Sequence, residues 1–153
     1  MTAEPLAAEE LDALSALIDE WAAAELAANP VVIAVEFDPA ERRWFVRVTG
    51  EEKDVSTIRL TLRQRTLHHE TFLLPAPDEN QARFYDYLLR RNHEMYGLAF
   101  EIGEEDGVFL AGQIDGRAVT EDELDRILGS TYVAVERCFP QALRIGFAAS
   151  LRG

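Results

Sequence analysis

The stretch VSTIRLTLRQRTLHHETFL, residues 55–73, decides the fold. Apolar and polar side chains alternate along its first half, and this period of two predicts a β-strand with one buried and one solvated face. If Gln64 and Arg65 form a two-residue turn, residues 55–63 and 66–73 pair as an antiparallel hairpin. The pattern therefore indicates an antiparallel sheet with one wet face.

The predicted turn fixes which residues of the hairpin face one another. Arg59 and Glu70 then lie opposite each other on the wet face, where opposite charges contribute roughly 0.2–1 kcal/mol. Gln-Arg is unusual chemistry for a tight turn, and a slip of one residue would reverse both faces. The predicted pairs are Leu62 with Leu67, Thr61 with His68, Leu60 with His69, Arg59 with Glu70, and Ile58 with Thr71.

His68, His69 and Glu70 are residue types that a metal centre or an acid–base pair would use. Neighbouring strand residues point to opposite faces, so His68 and Glu70 share the wet face and His69 does not. No Cys or Asp lies nearby at ligand spacing, and the sequence therefore predicts no metal site, no cofactor and no catalytic residue. The alternative is a small-ligand sensor or an enzyme that uses His68, Glu70 and Arg59. It requires a pocket, which is not expected on an open sheet face.

Helices and further strands surround the hairpin in the predicted order α-β-β-β-α-β-β-α. Strands in consecutive runs are typical of an α+β domain, here an antiparallel sheet flanked by helices. One domain is predicted for residues 1–153, with an N-terminal helix within 1–29. The predicted elements are a helix at 7–27, strands at 43–50, 98–103 and 108–114 beside the hairpin, helices at 79–96 and from Thr120 onward, and at 31–37 either an additional strand or a linker.

Capping residues and breakers bound the two later helices. Asp78 and Gln81 have capping-box spacing before the middle helix, and Gly97 is predicted to end it. Thr120 opens the last helix with a full capping box, and Pro140 is predicted to kink that helix or to start a new one. The predicted apolar stripe of the middle helix is Phe84, Tyr85, Leu88, Leu89, Met95 and Tyr96.

Composition and charge restrict the class of protein. The net charge is −13 over 153 residues, with Lys53 as the only lysine, so nucleic acid and anionic membranes are not expected partners. The single cysteine, Cys138, falls on the apolar stripe of the last helix and is predicted to be a buried thiol. The sequence has neither the pattern of a signal peptide nor an apolar run of membrane-spanning length. A soluble cytoplasmic protein is therefore expected.

Arg47, Arg59 and Arg63 are predicted to share the wet face of the sheet. They form either a strip that binds an anion or a protein partner, or a set of cross-strand pairs with Glu70 and its neighbours. Tyr87 lies outside the apolar stripe of the middle helix and is either an interface residue or an isolated exposed tyrosine. The candidate partner-binding residues are therefore Arg47, Arg59, Arg63 and Tyr87.

Two segments of the sequence resemble a known family. They are RWFVRVTGEEKDVSTIRLTLRQRTLHHETFLLPAPDENQARFYDYLLRRNHEMYGLAFEIGEEDGVFLAGQI (43–114) and DELDRILGS (122–130), and the likeness extends over residues 30–148. The sequence resembles the YbjN family of bacterial sensory-transduction regulators, whose members are similar in fold to type III secretion chaperones. The resemblance implies the same α+β order, a homodimer, no cofactor and no established enzyme activity. It also implies a non-enzymatic module that binds another polypeptide as a regulator or chaperone.

Overall fold

The computed structural model describes residues 4–152, which form one antiparallel sheet and four α-helices. The helices are α1 (Ala8–Ala28), α2 (Gln81–Asn92), α3 (Glu121–Gly146) and α4 (Ala148–Arg152). The strands are β1 (Val32–Asp38), β2 (Arg43–Thr49), β3 (Val55–Leu62), β4 (Thr66–Leu74), β5 (Ala99–Ile102) and β6 (Val108–Asp115), with short 3₁₀ turns at Glu104–Asp106 and Gly116–Ala118 on either side of β6. The predicted α+β class is confirmed. The predicted domain of 1–153 also includes residues 1–3 and 153, which lie outside the described part.

The six strands pair antiparallel in the order β1-β2-β3-β4-β6-β5. The β3–β4 hairpin has the predicted register, with Arg59 opposite Glu70. The Arg63 N–H donates to the Thr66 carbonyl at 2.8 Å, so the turn between them closes despite its unusual composition. The segment predicted as a strand or a linker is the edge strand β1, which pairs with β2.

The helices cover one face of the sheet. Trp44, Val46, Ile58 and Leu60 point to this face and are buried, as the period of two requires. α1 and the first half of α3 pack over β1 to β4, whereas α2 and the second half of α3 pack over β4 to β6. The other face carries the alternate, mostly polar residues of each strand, and no helix formed by residues 4–152 lies over it.

Two tryptophans fix α1 to the rest of the domain. The Trp44 Nε1–H of β2 donates to Asp19 of α1 at 2.7 Å, and the Trp21 Nε1–H of α1 donates to Asp125 of α3 at 2.8 Å. Both indoles are buried, and a buried N–H needs an acceptor. α1 is therefore held against both the sheet and α3.

α2 begins later than the sequence predicts. The Asp78 and Glu79 N–H groups donate to the Gly146 carbonyl at the end of α3. Asn80 then adopts a left-handed conformation (φ 53°) immediately before the first helical residue, Gln81. The predicted Asp78–Gln81 capping box is therefore wrong, because a tertiary contact with α3 sets the entry into α2.

α2 ends at Asn92, and the prediction that Gly97 ends it is wrong. The Asn92 side chain accepts from the Phe100 N–H (2.7 Å) and donates to the Phe100 carbonyl (3.3 Å), which ties the end of the helix to β5. Residues 93–98 therefore form a loop. Tyr96 of the predicted apolar stripe is consequently exposed in the loop, and Leu89 of the same stripe is exposed within α2.

α3 continues through Pro140 as one helix. The alternative that Pro140 starts a new helix is therefore wrong, because buried residues on both sides of the proline hold the helix together. Thr120 Oγ1 accepts from the Glu123 N–H at 3.1 Å, as predicted for the helix start. The Glu123 carboxylate accepts from Arg126 instead of completing the capping box. None of the described helices is long and apolar enough to cross a bilayer.

Candidate functional surfaces

The uncovered face of the sheet contains a depression of about 470 Å³, which we call the sheet-face depression. Long charged side chains stand around the short side chain of Ala111 of β6, and this difference in side-chain length makes the surface concave. The expectation that an open sheet face lacks a pocket is therefore wrong. The titratable residues that line the depression with their side chains are Arg43, Arg59, Arg63, His68, Glu70, Glu101 and Glu104.

Opposite charges balance in the sheet-face depression. Three arginines stand among three glutamates, and Arg59 forms a salt bridge with Glu70, as the predicted register requires. Partial burial and the nearby Arg63 guanidinium lower the pKa of His68, so its imidazole is neutral at pH 7. The depression therefore offers polar contacts of both signs without a net charge.

His69 points to the helical side of the sheet, as predicted. It is 2% exposed, and burial, followed by the charges of Arg126 and His68, lowers its pKa to about 4. Its Nε2 has no hydrogen-bond partner within residues 4–152. The two histidines therefore cannot bind one ion together. No group of three His, Cys, Asp or Glu residues in the described chain is arranged to hold a metal.

The four candidate partner-binding residues do not lie on one surface. Arg59 and Arg63 line the sheet-face depression. Arg47 is exposed on the same face but lies outside the depression, opposite Thr57 of β3. Tyr87 is half-buried on the helical side of the sheet, where it borders a second concavity.

The second concavity is a groove of about 500 Å³ between α3, the end of α2 and the loop at 93–98. We call it the α2–α3 groove. Three arginines and two tyrosines stand on its walls, and apolar residues of α3 and of the loop lie between them. Residues that define the groove include Tyr87, Arg91, Tyr96, Arg126, Gly129 and Arg137.

Tyr87 and Cys138 meet on the wall of the α2–α3 groove. Burial is the main cause that raises the pKa of both groups. A thiol with a raised pKa stays protonated at pH 7 and is a poor nucleophile. Cys138 is therefore the buried thiol that the sequence predicts.

Positive charge exceeds negative charge in the α2–α3 groove. The Arg91 guanidinium lies 5.2 Å from the centre of the Tyr87 ring, and the Arg126 guanidinium lies 5.3 Å from that of Tyr96. Stacking on an aromatic face holds a guanidinium in position while it stays charged. The charged residues that line the groove are Arg91, Arg126, Arg137 and Glu94, three positive charges against one negative.

The α2–α3 groove was not predicted from the sequence because its residues come from three separate elements. One pattern within α3 was nevertheless available. Arg126, Ser130, Val133 and Arg137 recur at positions i, i+4, i+7 and i+11, and this spacing places them on one face of the helix. That face is distinct from the buried stripe of α3, which contains Leu124, Ile127, Leu128 and Val135.

A third feature is an apolar hollow of about 250 Å³ between α2 and the edge strand β5. Leu89 of α2 is 66% exposed and Ile102 of β5 is 57% exposed beside it. Exposed apolar side chains next to an unpaired strand edge are a common feature of surfaces that another chain covers.

Comparison with solved structures identifies the class of fold. The chain is similar to the Yersinia pestis type III secretion chaperone SycH, solved in complex with a stable fragment of YscM2, at 18% identity and a TM-score of 0.52 over 80% of this chain and 96% of that chain. It is also similar to a chain of the ExsC–ExsE complex, at 20% identity and a TM-score of 0.56 over 80% of this chain and 91% of that chain. The described chain therefore has a type III secretion chaperone-like fold.

A family model places the chain more narrowly. The YbjN model, described as "Putative bacterial sensory transduction regulator", matches residues 11–144, and the chain belongs to the YbjN family. An uncharacterized protein of Mycobacterium tuberculosis is 36% identical over 108 residues, which are 70% of this chain and 58% of that protein. A Mycobacterium leprae protein is 31% identical over 110 residues, 72% of this chain and 60% of that protein. The matched part thus spans less than two thirds of these relatives.

Proposed function

We propose that this chain is a non-enzymatic cytoplasmic module that binds another polypeptide and acts as a regulator or chaperone. The observation that supports this most strongly is that helices cover only one face of the six-stranded sheet, which leaves the other face open to a partner. Arg47 and Arg63 are exposed on that open face and form no ion pair within residues 4–152. The two solved chains of similar fold are also each in complex with another protein.

Affinity capture from the native host tests this proposal. Arg47→Glu with Arg63→Glu reverses two charges on the open face, and Arg83→Glu with Arg144→Glu makes the same change at two exposed helical positions. We expect the wild type and the helical control to recover the same specific proteins at physiological salt, and the open-face variant to lose them at an unchanged melting temperature. Recovery of no specific protein by the wild type contradicts the proposal. If both double variants recover the same proteins, Arg47 and Arg63 do not contribute to partner binding.

We also propose that the module is a homodimer formed through the apolar hollow beside β5. Leu89 and Ile102 would lie against a second copy there, and covering them would remove apolar surface from water at an unpaired strand edge. Light scattering at micromolar concentration is expected to give about 34 kDa, twice the 17.2 kDa of one chain. Leu89→Glu is expected to give the mass of a monomer. Leu26 is an exposed leucine of α1, and the control variant Leu26→Glu is expected to give the mass of a dimer. A wild-type mass near 17 kDa contradicts the homodimer.

The sheet-face depression favours a second candidate function, the binding of a small ligand. Its balanced arginines and glutamates match a zwitterion, such as a free amino acid, better than a singly charged molecule. Melting temperatures measured with a panel of amino acids at millimolar concentration test this candidate. A stabilising shift that Glu101→Gln abolishes would support it, and a panel without any shift contradicts it.

A further inference from the structure

We propose that the α2–α3 groove binds a short extended peptide segment with acidic residues on both sides of an apolar residue. This inference rests on the proposed function only in taking a polypeptide as the occupant. It names a surface, separate from the open sheet face, and the chemistry of the segment that would bind there. Charge, length and the shape of the groove floor each support it.

The charge of the groove selects an anionic occupant. Three arginines and one glutamate line it, although the whole chain has a net charge of −13. Arg137 is exposed and forms no ion pair within residues 4–152. Arg91 and Arg126 pair with Glu94 and Glu123, but the Arg91 Nε and the Arg126 Nη1 are buried without a hydrogen-bond partner within residues 4–152. Arginine pairs with carboxylates in a bidentate geometry, so carboxylates are the matching groups.

The length of the groove selects an extended segment. Arg126 and Arg137 are eleven residues apart on α3, which corresponds to about 16 Å along a helix axis. The two arginine side chains therefore start about three helical turns apart. An extended chain advances about 3.3 Å per residue, so two acidic residues about five positions apart can each pair with one arginine.

The floor of the groove provides room for an apolar side chain between the two charged ends. Apart from the adjoining backbone of α3, a Cβ atom at Gly129 would have no neighbour within 4 Å among residues 4–152, so packing of the described domain does not require glycine there. Glycine is also a poor helix former, so helix propensity does not favour it in the middle of α3. Because it has no side chain, it leaves space at the floor of the groove. Val133 and Met95 line the same space, and Val133 is 51% exposed.

Two arginine side chains of the groove are also held in place by contacts within the domain. Arg91 stacks on Tyr87, and Arg126 stacks on Tyr96 and pairs with Glu123 at 2.8 Å. These contacts restrict the guanidinium groups, and a binding group that is already ordered loses less entropy when a ligand binds. The Tyr96 ring is 81% exposed and offers an apolar surface at the rim.

Fluorescence anisotropy with a labelled peptide tests the inference on the full chain. The probe has seven residues, two aspartates at each end and a central leucine between serines; a second probe has asparagine in place of every aspartate. We expect the acidic probe to bind the wild type and the asparagine probe to bind at least about tenfold more weakly, the size of effect expected when charge pairs are lost. Equal binding of both probes, or no binding of the acidic probe at millimolar protein, overturns the inference.

Two pairs of variants locate the binding. Arg137→Glu lies in the groove, and Arg144→Glu makes the same charge change at an exposed position later in α3. Gly129→Leu fills the floor, and Gly129→Ala leaves it nearly open. We expect Arg137→Glu and Gly129→Leu to weaken binding of the acidic probe at least about tenfold, whereas the two controls retain it. If the groove variants bind as their controls do, the segment does not bind in the groove.

The capture experiment separates failure of this inference from failure of the proposed function. If Arg137→Glu recovers the same native partners as the wild type and binds the acidic probe equally well, the inference that the groove binds an acidic segment is wrong and the proposed function stands. If neither the wild type nor any variant recovers a specific protein but the groove variants alone lose the acidic probe, the groove stands and the proposed regulator or chaperone role is wrong.

Discussion

The sheet-face depression and the α2–α3 groove each contain three arginines, but only the groove has a clear excess of positive charge. In the depression, Arg59 pairs with Glu70, and two further glutamates come from β5 and the turn after it. In the groove, Glu94 is the one acidic lining residue, and its oxygen lies 3.7 Å from the Arg91 Nε.

The origin of this difference is the geometry of strands and helices. Adjacent antiparallel strands bring residues of opposite charge directly across from one another, so an arginine on a strand is readily neutralised by its neighbour. The groove is lined by helix and loop residues, and Arg126 and Arg137 of α3 and Arg91 of α2 line it together. A count of arginines therefore does not identify an anion-binding surface. Their pairing does.

Gly112 of β6 lines the sheet-face depression and lies against the 93–98 loop of the α2–α3 groove. Gly112→Ala is therefore expected to cause the largest loss in the free energy of unfolding. A Cβ atom there would overlap the Gly97 carbonyl oxygen and would lie 2.7 Å from the His69 Nε2. The 93–98 loop, which forms one wall of the groove, would have to leave the sheet. We expect a loss of at least about 3 kcal/mol in the free energy of unfolding, measured by urea denaturation. A loss under about 1 kcal/mol would show that the loop is not held as described.

His69 lies behind the depression and near Arg126, and it should make stability depend on pH. Its pKa is about 4 in the folded chain and about 6.5 in the unfolded chain. The unfolded chain therefore binds more protons between these values, and stability falls as the pH drops from 6.5 to 4, by on the order of 3 kcal/mol.

Urea denaturation between pH 4.5 and 6.5 measures this contribution. His69→Leu should remove that part of the pH dependence, whereas His93→Gln, at an exposed histidine, should leave it unchanged. The same slope in the wild type and in His69→Leu would contradict the assignment of the effect to His69.

Alanine at Gly129 is expected to change the free energy of unfolding in the opposite direction from alanine at Gly112. Within residues 4–152, and apart from the adjoining backbone of α3, no atom lies within 4 Å of the position of a Cβ at Gly129, so Gly129→Ala should raise the free energy of unfolding by about 0.5–1 kcal/mol through helix propensity alone. Thermal and chemical denaturation both measure this. Destabilisation by alanine would mean that packing requires the glycine, and the open floor of the groove would lose its support.

The Arg59–Glu70 pair is expected to make the smallest contribution to the free energy of unfolding. Both side chains are about one-third exposed, so solvent screens the pair, and we expect a coupling energy of about 0.2–1 kcal/mol. A double-mutant cycle with Arg59→Gln and Glu70→Gln measures it, and 1 M NaCl should reduce it. A coupling energy of zero at low salt would mean that the pair does not neutralise Arg59, and the contrast with the groove would weaken.

The sequence predicts local and periodic features of this fold well. The alternation in residues 55–73 correctly predicts the hairpin register and the opposite directions of His68 and His69. These features depend on the strand repeat and on one short turn, which neighbouring residues determine.

Features that depend on contacts between distant segments were not predictable in this way. The start of α2 is set by the Gly146 carbonyl. The acidic turn at 51–54 docks on α3 because the Glu52 and Lys53 N–H groups donate to the Glu136 carboxylate at 3.1 and 3.2 Å. The α2–α3 groove belongs to the same category, since three elements must fold together before it exists.

The affinity of the acidic probe for Arg137→Glu and for Arg63→Glu tests the central claim most directly. Both substitutions replace an exposed arginine and change the net charge equally, one in the groove and one at the sheet-face depression. We predict that Arg137→Glu weakens binding at least about tenfold and that Arg63→Glu changes it less than about twofold. Equal weakening by both, or a greater loss in Arg63→Glu, would contradict the claim that the groove, with its excess of arginine over acidic lining residues, is the binding surface.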